Sequence, residues 1–121
     1  MDRKTIFVYG TLKQGFSNHD LMRDSQFVAS ARTVEQYPMV NINGIFPYIY
    51  EQPGKGFRVL GEVYEVTTDT MERLDWLEGI PEHYYRELIE VDAEGSHMQA
   101  WCYFSKMIHN TDSKFLEIFE V

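Results

Sequence analysis

Two stretches of this sequence carry residue types that could do chemistry together. The first is Tyr9-Gly10-Thr11-Leu12-Lys13-Gln14-Gly15, which directly follows the apolar run Thr5-Ile6-Phe7-Val8-Tyr9. A turn at the end of a buried strand exposes successive backbone N–H groups, and such a nest can hold an anion. Gly10 has no Cβ to keep a ligand away from the backbone. The same residues would serve equally as a plain tight turn from strand to loop. Gly10 and Gly15 bracket four residues, as in a phosphate loop, but that signature needs Lys and then Ser or Thr after its second glycine. Phe16-Ser17 stands there instead, and nucleotide binding is rejected.

The second feature is Glu78. Leu74 lies at i−4 and Met71 at i−7, spacings that share one face of a helix. A carboxylate on the apolar stripe would be desolvated, and its place in the last turn adds the negative end of the helix dipole. Both effects raise a carboxyl pKa toward the range useful for a general base and acid near neutrality. A helix end that frays outward, leaving Glu78 solvated, is the simpler reading from the helix alone. Asp75, three residues earlier, is read as solvated or capping, and Glu72 as the acid of a capping box. Tyr9, Tyr84, Tyr85 and Tyr103 cluster near these features. Tyrosine can line a pocket with an apolar body and a polar tip, although for Tyr84 core packing is the preferred reading. Adjacent strand residues point to opposite faces, so only one of Tyr84 and Tyr85 should face a given pocket.

The elements that must position these groups are readable in outline. Residues 5–9 form a strand buried on both faces. Further strands are expected over 26–34, 36–41 and 45–50, with Pro38 and Pro47 limiting where they pair. Pro53-Gly54-Lys55-Gly56 is a turn. A strand follows over 59–66, in which Gly61 marks a bulge or a close backbone approach. The clearest helix starts near Thr68 or Asp69. Asp69-Thr70-Met71-Glu72 fits a capping box, Met71, Leu74 and Leu77 give the apolar spacing, and Gly79 and Pro81 end it. Strands near 84–92 and 98–105 come next, with 95–98 read as turn sequence. The tail, 112–121, fits either a short helix or a strand. Many strands with one good helix predict an α+β protein, with a curled or closed sheet that hides its edges.

Composition narrows the function. The chain has 121 residues, room for a single domain over 1–121. A formal net charge of −8 argues against a nucleic-acid partner, because phosphate binding needs a basic surface. Hydrophobic residues at 44% supply a packed interior. The single cysteine, Cys102, excludes an internal disulfide framework and a cysteine zinc cage, and it is read as a small buried hydrophobe. His19, His83, His97 and His109 show no metal-ligand spacing and are read as surface residues, so no metal is expected. No run reaches the roughly 18–20 apolar residues of a membrane span, and no signal peptide is evident. The expectation is a cytoplasmic protein without a membrane partner, a monomer by default.

At this point the sequence resembles the gamma-glutamylcyclotransferase-like family. The residues that carry the resemblance are Val8 to Gly15, then Gly61-Glu62-Val63-Tyr64-Glu65-Val66, then Leu74-Asp75-Trp76-Leu77-Glu78-Gly79-Ile80-Pro81 with Tyr85-Arg86, in the family's order across roughly positions 6–104. Asn18-His19, Ala31-Arg32-Thr33 and Tyr37-Pro38 make it similar to the gamma-glutamylamine cyclotransferase branch, also called AIG2-like. The resemblance implies a small mixed β-barrel flanked by helices. It implies a reaction in which the α-amine of a γ-glutamyl compound attacks its own γ-amide, closing 5-oxoproline and releasing an amine, with no metal or organic cofactor. It implies Glu78 as the acid/base, Tyr9, Gly10, Thr11 and Leu12 as the substrate-binding turn, and Tyr85 and Tyr103 as pocket residues. It also implies that a longer C-terminal covering segment is absent or abbreviated, since the sequence stops at Val121. Two other functions fit the residues: a non-catalytic module that binds a small carboxylate metabolite in the same pocket, and a protein-docking domain in which Tyr85, Tyr103 and Glu78 would be exposed.

Overall fold

In the computed structural model, which describes residues 3–16, 18–41, 47–78, 80, 84–106 and 115–119, the N-terminal apolar run becomes β1 (Arg3–Val8). A single 3-10 turn (His19–Met22) leads to β2 (Gln26–Tyr37), β3 (Met39–Asn41), β4 (Pro47–Ile49) and β5 (Phe57–Thr67). Helix α1 (Thr68–Leu77), β6 (Tyr84–Ala93) and β7 (Ser96–Ser105) complete the order. Five strands close a barrel in the order β1-β5-β2-β6-β7, and β3 and β4 form a separate two-stranded sheet. Neighbouring pairs are antiparallel except at the closure, where β7 meets β1 in parallel at Ile6 and Trp101. The sheet is mixed for that reason, and closure leaves the barrel strands no free edge to protect.

Period-two alternation divides the apolar residues between two cores. Phe7 on β1, Val59 and Val63 on β5 and Ala100, Cys102 and Phe104 on β7 fill the barrel. Ile6, Val8, Tyr64, Val66 and Tyr103 turn outward and meet Leu12, Met22, Met71 and Leu74. A strand sandwiched between a barrel interior and a helix must be apolar on both faces, which accounts for the unbroken run in β1. Gly61 is a close approach rather than a bulge. It sits opposite β1, where a Cβ would overlap the Val8 carbonyl and lie 2.6 Å from the Phe7 ring.

Helix α1 starts as expected, but its cap differs. Thr67 is the N-cap residue, and its hydroxyl accepts from the Thr70 N–H at 3.2 Å. Thr67, Thr68 and Asp69 all carry a capping oxygen, and the extended backbone of Thr67 decides among them. The face against the barrel also differs. It carries Met71, Leu74, Asp75 and Glu78, the i, i+3, i+4, i+7 set. Leu77 is 43% exposed and Trp76 is 85% exposed, so Asp75 takes the place that Leu77 was expected to hold. The expected helix stop at Gly79 and Pro81 lies outside the described residues.

The tail is neither helix nor strand over 115–119. It is pinned by backbone bonds from Leu60 N–H to the Glu117 carbonyl and from Leu116 N–H to the Met39 carbonyl, both 2.8 Å. Phe119 is buried in the barrel core, with its ring 5.5 Å from that of Phe16. Phe119→Ala should therefore lower unfolding free energy by about 3–5 kcal/mol, read by urea denaturation. No helix of the described residues is long and apolar enough to cross a membrane.

Candidate active site

The turn after β1 is closed by its own backbone and by four outside groups. The Lys13 N–H reaches the Gly10 carbonyl at 3.1 Å and the Phe16 N–H reaches the Lys13 carbonyl at 3.2 Å. The Gln14 N–H donates to Glu62 Oε1 at 2.9 Å. Asn18 braces Thr11 twice, through Nδ2 to Oγ1 at 2.9 Å and through its N–H to the Thr11 carbonyl at 3.0 Å. His19 Nδ1 donates to the Leu12 carbonyl at 2.9 Å. None of these bonds uses the amides of Gly10, Thr11 or Leu12. Gly10 is required by its neighbour as well, because a Cβ there would lie 2.8 Å from the Pro47 ring.

The lysine of the turn reaches toward the tail. Lys13 is buried, and its Nζ donates to the Phe119 carbonyl at 2.7 Å and lies 4.8 Å from the Phe16 ring centre. It ties the turn to the tail. Asn18, His19, Glu62 and Lys13 thus brace the turn, and each is missed by reading motifs alone because its partner is set by the fold. The presence of Asn18-His19 beside the turn is the one local signal that could have pointed to them.

Glu78 caps the C-terminus of α1 with right-handed backbone angles of φ −78° and ψ −6°, and its N–H still bonds the Leu74 carbonyl at 2.9 Å. The helix does not fray there. Its carboxyl is partly buried, and burial pushes its pKa up from the ordinary value of 4.5 to about 7. The Tyr9 hydroxyl is held well above its usual range by burial first, then by the neighbouring Cys102 and Glu78. Burial and then Glu78 raise Tyr84. Burial and the bond to Asp75 raise Tyr103, with Glu78 adding to both. Tyr9, Tyr84 and Tyr103 thus lie within electrostatic range of the acid.

The remaining expected residues fall as follows. Leu12 packs with Met71, Leu74 and Tyr103 under the helix. Tyr103 is 3% exposed, which a docking surface built on it would not allow. Tyr85 lies on the opposite side of β6 from Tyr84. It stacks on Phe104 with ring centres 5.8 Å apart and donates to Glu51 Oε1 at 2.9 Å. Tyr84 stacks on Tyr48 at 6.3 Å. Asp75 is not solvated and caps nothing. It takes Arg86 Nε at 2.8 Å, Arg86 Nη2 at 3.1 Å and the Tyr103 hydroxyl at 2.7 Å. Cys102 is buried, and burial pushes its thiol up, as for an inert small side chain. Among the described residues no group of three or more His, Cys, Asp or Glu side chains could hold a metal. His83 and His109 lie outside the described residues.

Comparison with known proteins places this arrangement. The family model described as gamma-glutamyl cyclotransferase, AIG2-like, matches residues 6–118. A provisionally named gamma-glutamylcyclotransferase of Methanocaldococcus jannaschii is 41% identical over 102 residues, which span 82% of each chain. Gamma-glutamylaminecyclotransferase B of Danio rerio is 45% identical over 94 residues, covering 72% of this chain and 49% of its own length. This chain thus spans about half the length of that relative. The crystal structure of an AIG2-like protein from Mus musculus superposes with a TM-score of 0.92 at 31% identity, covering 99% of this chain and 90% of the other. With the family model matching nearly the whole sequence, this chain belongs to the gamma-glutamyl cyclotransferase, AIG2-like family.

Proposed function

We propose that this chain is a γ-glutamylamine cyclotransferase that converts a small γ-glutamyl compound to 5-oxoproline and a free amine, acting as a single chain without a cofactor. The observation that carries the reading is Glu78, with its carboxyl raised to about 7 beside Tyr9, the residue that opens the turn. The amides of Gly10, Thr11 and Leu12 take the substrate's α-carboxylate, and so set its α-amine beside its own γ-carbonyl. The Glu78 carboxylate removes a proton from the α-ammonium. The freed nitrogen attacks the γ-carbon, forming the lactam C–N bond. Glu78, now protonated, returns the proton to the leaving nitrogen as its bond to that carbon breaks, and the ring nitrogen gives up its second proton to the released amine, which departs as an ammonium ion. One carboxyl near neutrality can do both transfers, a contribution of about 10²–10⁴-fold. Ring closure within one molecule makes orientation the other large contribution. Tyr84 and Tyr103 wall the acid from water, and Tyr85 with Glu51 stands on the other side of β6.

The base must be ionised in the free enzyme, which fixes the sign of the pH dependence. The kcat/KM for 5-oxoproline release should rise with pH through about 7, following Glu78. A panel of γ-glutamyl amines and γ-glutamyl amino acids, assayed for 5-oxoproline, tests the reading. Binding of glutamate-like ligands with no product from any of them would replace it with a binding module.

A further inference from the structure

Four residues form one hydrogen-bonded chain that the proton transfers as written do not use. The Tyr9 hydroxyl donates to the Tyr103 carbonyl at 2.8 Å. The Tyr103 hydroxyl donates to Asp75 Oδ1 at 2.7 Å, and Asp75 receives both nitrogens of Arg86. The Arg86 guanidinium lies over the Trp101 ring at 4.5 Å. Tyr9 opens the turn, and Asp75 precedes Glu78 by one helical turn on the same face. The chain thus runs from the turn, through β7, to the helix end that carries the acid, while β6 grips the same carboxylate from the other side.

The chemistry of Asp75 argues for a task beyond packing. A carboxylate on the barrel-facing stripe of a helix costs free energy unless it is paired. Asp75 and Arg86 are about three-quarters covered, with side-chain exposures of 22% and 24%, and their contact is bidentate. Such a fork fixes direction as well as distance. A leucine there would pack without it. The pair also presents no net charge to Glu78.

We propose that Asp75 is a positioning residue, gripped by Arg86 and Tyr103, which sets the distance between Glu78 and the Tyr9–Leu12 turn. The inference rests on the cyclotransferase reading of the site. The titratable groups within electrostatic range of Glu78 are Tyr9 from the turn, Tyr84 from β6, and Cys102 and Tyr103 from β7, and Asp75 with its partner Arg86 stands one helical turn earlier on the same helix. Asp75→Asn keeps an acceptor for Tyr103 but leaves Arg86 uncompensated. The last turn of α1 loses its fork, and the Glu78 anion is favoured.

The experiment pairs kinetics with a carbon-13 NMR titration of the Glu78 carboxyl. Asp75→Asn should lower kcat by about 10²-fold through misplacement of the acid, with KM changed far less. The same variant should lower the Glu78 titration midpoint by about one pH unit. Tyr103→Phe, which introduces no charge, should lower kcat by about 10-fold and leave the midpoint near its place. Added to Asp75→Asn it should cost little more, because both cut one linkage. An Asp75→Asn protein with the original kcat and an unmoved Glu78 midpoint overturns the proposal. If that variant does not fold, Tyr103→Phe decides, and an unchanged kcat there overturns it equally. The NMR titration needs no turnover, so an original chain that releases no 5-oxoproline would overturn the cyclotransferase reading alone.

Discussion

Glu78→Gln should lower 5-oxoproline release by about 10³-fold and leave the barrel intact. Gln keeps the shape and polarity of the side chain and loses only the capacity to take and return a proton. The same substitution should stabilise the protein at alkaline pH. Glu78 is raised to about 7 in the folded chain against 4.5 ordinarily, so the folded state holds its proton more tightly. Its favourable contribution is full below pH 4.5 and is lost as pH rises to 7, above which the folded chain holds a carboxylate that burial disfavours. Above that pH the Gln variant should exceed the original in unfolding free energy by about 2–3 kcal/mol, a gap that closes in acid. Steady-state kinetics and denaturation at pH 4 to 9 measure both effects. Undiminished turnover in Glu78→Gln would remove this carboxyl from the mechanism.

Gly61→Ala should be among the most damaging single-methyl additions in the chain. Its Cβ would overlap the Val8 carbonyl and lie 2.6 and 2.8 Å from two carbons of the Phe7 ring. Neither neighbour can retreat cheaply. The Val8 carbonyl belongs to the β1–β5 ladder, where Val8 pairs Glu62, and Phe7 is fully buried in the barrel. The strand must shift, at a cost of about 3 kcal/mol. That is a large part of the 5–15 kcal/mol typical of a small domain. A fall in Tm of about 10 °C or more is expected. Because Val8 leads directly into the turn, activity should fall at temperatures where the variant is still folded. Calorimetry with parallel assays reads both, and a Tm within a degree of the original would show that β1 moves aside freely.

What the sequence disclosed was local in origin. The run from Thr5 to Tyr9, the strand signals over 59–66, 84–92 and 98–105 and the spacing of Met71, Leu74 and Glu78 are properties of neighbouring residues, and each maps onto an observed element. The N-cap went to Thr67 because three adjacent residues can cap and only the backbone angle distinguishes them. Leu77 fits the apolar stripe by spacing, because i+3 and i+4 continuations from Leu74 suit a helix equally well; tertiary packing puts Asp75 on the covered face and leaves Leu77 out. From the sequence Asp75 reads as solvated or capping, because its partners come from 11 positions away in Arg86 and 28 in Tyr103. Tyr84 and Tyr85 could be assigned to opposite faces, and the choice between them needed the barrel. The turn itself was legible, but its braces Asn18, His19 and Glu62 gain meaning only when three elements converge.

Barrel closure has a consequence for how the molecule comes into being. The parallel seam joins Ile6 to Trp101, and the Tyr9 hydroxyl finds its acceptor 94 positions later. Pairings between such distant parts of a polypeptide form slowly, after the hairpins and the helix. A nascent chain leaving the ribosome therefore carries the turn first and the acid later, and cannot fasten the two until β7 has been made.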